Sequence, residues 1–377
     1  MQYHTVIVGG GLGGLTASIE LAKQGFEVLV IEKYAYPFHR VCGEYISNEV
    51  RPYIENLGLD LFTLGATKIQ KFQLSSVNGN SIFTDLAMGG FGISRYKIDF
   101  ELYLIAKKFG VTFELNTSVE EIQQINEVFF VDTNTNKTFE AKVVIGAYGK
   151  RAKLDKTLNR KFSPQKTAYI GVKYHIKYDF PKDLIALHNF DGGYCGISAI
   201  EDNKYCLCYL SERKNLKESS GISEMEEKIL SKNPHLKAIF EQAEFLFSKP
   251  EVINEVIFVK KSVISKHVLM VGDTAGLIAP LAGNGMSIAI RAGVLSAHLV
   301  GDFLNNQISR EKLEHNYTDV WNKNFKNRLW RGRQLQKLFG NETNSNLAVS
   351  FLNKVPILLS PIIKSTHGKI MGFAPQV

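Results

Sequence analysis

The residues with the clearest chemical use stand in the first 32 positions. Gly9, Gly11 and Gly14 hold the G-x-G-x-x-G spacing, and Glu32 follows about 20 residues on. Each glycine has a job: a tight turn, close backbone approach to a pyrophosphate, and close helix–strand packing. Leu12 and Gly13 would offer backbone N–H groups at a helix N-terminus, where the dipole favours an anion. Glu32, with Lys33 beside it, would accept hydrogen bonds from ribose hydroxyls. A carboxylate there repels a 2′-phosphate and so disfavours NADP at this position. The spacing points to a dinucleotide and leaves NAD and FAD both open.

These residues need a strand–turn–helix–strand unit, and the sequence has one. Thr5 to Val8 is an apolar β-branched run. Leu15, Ala17, Ile19, Leu21 and Ala22 follow in a helical pattern, Gly25 stops the helix, and Val28 to Ile31 is a second buried strand. Further on, Met88 to Gly92 reads as a glycine loop, and Asp99 as the cap of a helix over 100–109. Lys142 to Ile145 is another buried strand, ending in the turn Gly146-Ala147-Tyr148-Gly149. Residues 165–260 change to short alternating strands. His267 to Asp273 then returns to the buried parallel pattern and leads through Gly283-Asn284-Gly285-Met286 into a helix over 287–303.

The expected fold is therefore α/β. A Rossmann-type nucleotide-binding domain is interrupted by an antiparallel-sheet substrate domain and followed by a helical C-terminal tail. The nucleotide domain takes 1–67, 88–164 and 261–305, the sheet domain 68–87 and 165–260, and the tail 306–377. The chain has 377 residues and is 45% hydrophobic, enough for a core and, by length, for two domains. No run of 18 apolar residues predicts a membrane span, and Met1 to His4 lacks a basic signal region, so a cytoplasmic location is expected. Four scattered cysteines make no disulfide framework. Cys206 and Cys208, without a second pair or a histidine cluster, read as packing, so no metal is expected. The net charge is +8, and residues 322–337 hold six Lys/Arg and no acid. No nucleic-acid motif accompanies that charge, so nucleic acid is not an expected partner. Attraction to an anionic membrane surface, or to an acidic ligand or carrier, is. No obligatory protein partner follows.

Four stretches together resemble flavoproteins of the para-hydroxybenzoate hydroxylase type and, within them, the geranylgeranyl reductase-like group. They are the glycine motif with Glu32, Arg95-Tyr96-Lys97-Ile98-Asp99 followed by Val119, Gly146-Ala147-Tyr148-Gly149, and Gly272-Asp273 with Gly283 and Gly285. The resemblance implies FAD. Asp273 would accept from a ribityl hydroxyl, Arg95 would reach pyrophosphate or ribityl oxygens, and the backbone of Val119 would meet the adenine edge. Ala147 and Gly149 would pass close to the cofactor, and Gly283 to Met286 would approach the flavin ring with a helix N-terminus. Tyr148 stands where that family has an acid, which weakens the implied NAD(P)H contact but not FAD binding.

Arg40-Val41-Cys42-Gly43-Glu44 resembles the loop that lies beside flavin and substrate in the reductase-like group. It implies phosphate contact by Arg40, close passage at Gly43, and a substrate contact or simple packing by Cys42. Gly192 to Gly196 resembles that group too, with Tyr194 as a candidate pocket residue. Two reactions fit. One is hydride transfer between FAD and a carbon–carbon double bond of a lipophilic, free or carrier-bound small molecule. The other is NADPH- or NADH-dependent hydroxylation of an aromatic or polyene substrate by a peroxyflavin. A flavin protein without turnover is the third alternative. Halogenase relatives are disfavoured, because that group uses a Trp-x-Trp-x-Ile-Pro segment and the only tryptophans here, Trp321 and Trp330, lie in the tail.

Overall fold

The computed structural model describes residues 2–150, 153–160, 169–256, 261–276, 284–337 and 341–372. Gly283, expected beside the cofactor, lies outside them.

The strand Gln2–Val8 is flanked in parallel by Val28–Ile31 and Thr138–Gly146. Val6 and Ile7 are wholly buried, as the centre of a parallel sheet covered on both faces requires. The sheet order runs Ile264–Ser265, Val268–Met270, Thr138–Gly146, Gln2–Val8, Val28–Ile31, Thr112–Glu114. Val119–Ile125 and Val128–Thr133 form an antiparallel extension. One face is covered by the helix Leu12–Lys23 packed on Gly285–Leu304. A Cβ on Gly293 would stand 2.3 Å from the Gly13 carbonyl oxygen, so that crossing needs a glycine. Gly285–Leu304 is long and apolar enough to cross a membrane, yet 67% of its apolar window is buried inside this protein.

A second, nine-stranded sheet gathers Tyr45–Ser47, Thr67–Ser75, Ser81–Gly92 and the strands of 169–256. Here the chain departs from two sequence expectations. Residues 88–92 are the end of a strand rather than a loop. Gly90 faces the Tyr45 ring and Gly92 the Ala199 carbonyl, each closer than a Cβ could stand. The following helix runs Arg95–Lys108, a turn earlier than expected. Ser94 caps it by accepting from the Lys97 N–H, which leaves Asp99 buried inside the helix. The tail folds as helices Arg310–Trp321, Asn327–Lys337, Glu342–Lys354 and Leu359–Thr366.

Candidate functional site

A cavity of about 960 Å³ runs from the glycine motif, past the 38–45 loop, to the tail helices. That is the upper end of the range for ligand pockets. Of the residues singled out above, Gly9, Gly11, Leu12, Gly13, Glu32, Lys33, Arg40, Cys42, Gly43, Arg95, Val119, Ala147, Gly149, Tyr194, Gly272, Asp273, Gly285 and Met286 line it. Gly14 and Asn284 do not. Gly14 packs under the turn, where a Cβ would sit 2.0 Å from the Gly9 carbonyl oxygen. Asn284 is buried and turns away, its amide donating to the Thr366 carbonyl at 2.8 Å.

Three lining glycines have no reason for being glycine within the protein. Among the described residues, a Cβ on Gly43 or Gly285 would meet nothing within 4 Å, and one on Gly11 would meet only Arg95 Nη2 at 3.7 Å. None of the three has a positive φ. A side chain there would fill only the cavity, so the space is shaped for a group that approaches the backbone at three points. A dinucleotide with a flat ring fits that demand.

Charge alternates along the cavity wall. Glu32 accepts from the Gly10 N–H at 2.8 Å and from Arg40 Nη2 at 3.1 Å. Arg40 Nε reaches Asp99 at 3.1 Å, and Arg95 holds Asp99 in a bidentate pair at 2.7 Å for both bonds. Asp99 does not line the cavity but holds both lining arginines, whereas sequence reading took it for a cap. Its spacing of four from Arg95 on one helix was the available signal. Asp273 keeps a partly exposed carboxylate, 3.9 Å from Lys150 Nζ, able to accept from a ligand hydroxyl.

The 39–44 loop is fixed from behind by the large sheet. Glu44, at φ 55°, accepts from Lys173 Nζ at 2.5 Å, pairs with His175 Nε2 at 2.7 Å and accepts from the Arg95 N–H at 2.8 Å. Lys173 also donates to the Arg40 carbonyl at 3.2 Å, and the Cys206 thiol to the Cys42 carbonyl at 3.2 Å. Burial pushes the Glu44 carboxyl up, but the Lys173 ammonium and His175 outweigh it and hold it at about 2. The His39 ring packs edge-on to His175. Burial, with Lys173 and His175 nearby, lowers His39 to about 4. Sequence reading placed neither Lys173 nor His175 at the site. Cys42 itself lies 3.5 Å from the Met286 sulfur.

Tyr148 donates to Asp155 at 2.9 Å. Asp155 also accepts from Arg160 and Lys261, both at 2.6 Å. Burial raises the Asp155 carboxyl, and the two cations bring it below its usual value. A carboxylate is therefore present at this turn, one helix further along the chain.

The far arm of the cavity is apolar. Phe72, Leu74, Leu187 and Tyr194 of the large sheet face Leu352, Leu359 and Ile363 of the tail. The tail is clasped to the body by Glu49, which pairs with Arg328 Nη2 at 3.0 Å and accepts from the Gly368 N–H. Among the described residues no His/Cys/Asp/Glu group could hold a metal ion.

Comparison with known proteins agrees with this geometry. The family model described as "FAD binding domain" matches residues 2–319. A digeranylgeranylglycerophospholipid reductase of Methanococcus vannielii is 25% identical, over 95% of this chain and 97% of that protein. Among solved structures, a geranylgeranyl bacteriochlorophyll reductase-like protein of Thermoplasma acidophilum superposes with a TM-score of 0.78 at 18% identity, covering 97% of this chain and 95% of that one. The flavin-dependent brominase Bmp2 superposes with a TM-score of 0.81 at 19% identity, covering 97% and 93%. With a family match over most of its length and a cavity whose glycines leave room for a flat dinucleotide, the chain belongs to the FAD binding domain family and is an FAD-dependent oxidoreductase.

Proposed function

We propose that this oxidoreductase transfers hydride between FAD and a carbon–carbon double bond of a lipophilic small molecule, with NADPH or NADH as the reductant. The supporting observation is the apolar arm, continuous with the cofactor end of the cavity and lined by the sheet and the tail. Its described lining holds one carboxylate, Glu251, and no lysine or arginine. An anionic substrate would find no cation there, whereas a hydrocarbon chain would find a wall it can be buried against.

Bound FAD supplies the hydride chemistry. The chain's own groups do the rest. Gly11, Gly43 and Gly285 let the backbone approach, and Asp273 and Glu32 accept from hydroxyls. The helix from Gly285 turns its free N–H groups and positive dipole end toward the cavity, favouring negative charge there. The tail helices exclude water from the arm. Tyr194 and Cys42 are the protic side chains assigned to the substrate pocket. That the named relative is a digeranylgeranylglycerophospholipid reductase supports a lipid class of substrate.

The test uses the FAD-loaded protein, reduced under argon with NADPH or NADH and mixed with a polyisoprenoid alkene. Flavin reoxidation without oxygen, with a product two hydrogens heavier, is expected. Reoxidation that needs oxygen and yields an oxygenated product would move the assignment to the hydroxylase reading. Bound flavin with neither outcome would leave a non-catalytic flavin protein.

A further inference from the structure

We infer that the C-terminal helices form a docking face for an anionic lipid bilayer, with the mouth of the apolar arm opening onto it. The charge of the chain is concentrated here. Residues 320–377 carry nine Lys/Arg and a single acid, Glu342, while residues 1–319 hold 36 of each sign. The whole net +8 therefore belongs to the tail. Arg328 is committed to Glu49, but Lys354 and Lys364 are exposed.

The same segment exposes large apolar side chains. Leu347, Phe351, Ile357 and Leu358 are 65%, 56%, 79% and 40% exposed. Leu347, Phe351 and Lys354 stand at i, i+4 and i+7 of Glu342–Lys354, so they share one face. Ser345, Val349 and Leu352 make the opposite, buried face. A second apolar group is Trp330, 57% exposed on the helix Asn327–Lys337, which packs against Leu359–Thr366. Exposed apolar side chains flanked by Lys354 and Lys364, with Glu342 the single acid of the segment, are the composition of an interfacial helix. The helices Glu342–Lys354 and Pro356–Thr366 bend by 105° at their junction, a shape suited to lying on a surface rather than crossing it.

Phe351 both lines the cavity and reaches solvent, which puts the mouth of the arm on this face. A second copy of the chain is a poor occupant, because two-fold pairing would set two strongly positive faces together. An anionic bilayer satisfies both the charge and the apolar surface. The docking itself is independent of the reaction; only substrate entry through the mouth rests on the lipophilic substrate proposed above.

The full chain, loaded with FAD, is sedimented with vesicles of phosphatidylcholine alone or mixed with phosphatidylserine. Preferential binding to the phosphatidylserine vesicles, weakened by salt and accompanied by a blue shift of tryptophan emission from Trp330, is expected. Lys354→Gln and Lys364→Gln should each lower partitioning about fivefold, and Ile357→Ser about tenfold. None of the three positions lines the cavity, so an unchanged flavin spectrum certifies the fold. Failure to bind phosphatidylserine vesicles at low salt overturns the inference, as does binding that Ile357→Ser leaves untouched. Self-association abolished by Ile357→Ser, without vesicle binding, would make the face a contact between copies instead. Vesicle binding without any double-bond reduction would leave the docking face standing and defeat only the reductase reading.

Discussion

Lys173 places its ammonium 2.5 Å from the Glu44 carboxylate, and neither side chain is exposed to solvent. The pair joins the large sheet to the loop that carries Arg40, Cys42 and Gly43, so the wall of the cofactor cavity is held by two buried charges. Removing one of them strands the other. Lys173→Met should destabilise the protein by about 3–5 kcal/mol, as breaking a buried ion pair does. Lys173→Met combined with Glu44→Gln should recover part of that loss. Urea unfolding of the single and double variants measures both.

Acid should act through three groups with one sign, Glu44 and His188 buried and His39 half-buried. Glu44 ordinarily titrates near 4.5 and is held at about 2 in the fold, so its contribution is present above 4.5 and lost as pH falls through 2. His39 is lowered from 6.5 to about 4, and His188, fully buried and stacked on His235, to about 3. Burial is the first cause for both, so the fold prefers each ring neutral. The unfolded chain binds more protons below 6.5, and stability rises with pH across the window from about 3 to 6.5. His188→Asn should flatten that slope in denaturation curves taken at successive pH values. A slope unchanged by the substitution would remove His188 from the account.

Glycines at the cofactor end of the cavity should separate into two kinds. Gly14→Ala should unfold the nucleotide turn, because its Cβ meets the Gly9 carbonyl oxygen at 2.0 Å. Gly285→Ala meets no atom of the described residues within 4 Å and gains helix propensity, so the FAD-free protein should be as stable as wild type or up to about 1 kcal/mol more. Its FAD affinity should nevertheless fall at least tenfold. Thermal melts of the FAD-free protein and flavin-fluorescence titrations give the two readouts separately.

Asp273 and Cys42 should part in the same titration. Asp273→Ala removes an acceptor aimed into the cavity and should lose FAD, whereas Cys42→Ala removes only a thiol lying against Met286 and should keep it. Full flavin content in Asp273→Ala would contradict the site.

The cofactor half of this arrangement is legible in the sequence because backbone geometry at Gly9, Gly14 and Gly272 admits few other residues, and those residues fall in fixed order. The groups that hold the loop are not legible. Lys173 and His175 lie 129 and 131 residues from Glu44, and only the pairing of strands across the large sheet brings them together. One signal was present: a lysine amid Ile170, Val172, Tyr174 and Ile176 sits on a strand buried along nearly its whole length. The run 88–92 misleads for a related reason. A glycine that clears the Tyr45 ring in a strand looks the same, locally, as a glycine that turns a loop. Asp99 likewise fits a helix cap by residue type, and only the earlier start at Ser94 turns it inward toward Arg40 and Arg95.

The clasp between Glu49 and Arg328 should control whether the arm stays closed. Arg328 is buried, spans from its own helix to the Thr366 carbonyl at 3.0 Å, and meets Glu49 at 3.0 Å, while Met371 donates its N–H to the Glu49 carbonyl. The tail is thus held at its base by polar bonds, and the apolar arm beneath it contributes the rest. In Arg328→Ala the Glu49 carboxylate stays buried without its cation, so the tail should detach before the sheets unfold. Limited proteolysis should then cut within the tail faster than in wild type, with FAD still bound, since Gly11, Asp273 and Gly285 belong to the body. A lipophilic ligand in the arm should slow that cleavage by bridging sheet and tail. If cleavage and flavin release instead advance together, the tail supports the cofactor directly, and the division of the cavity into a cofactor end and a separately closed apolar arm would fail.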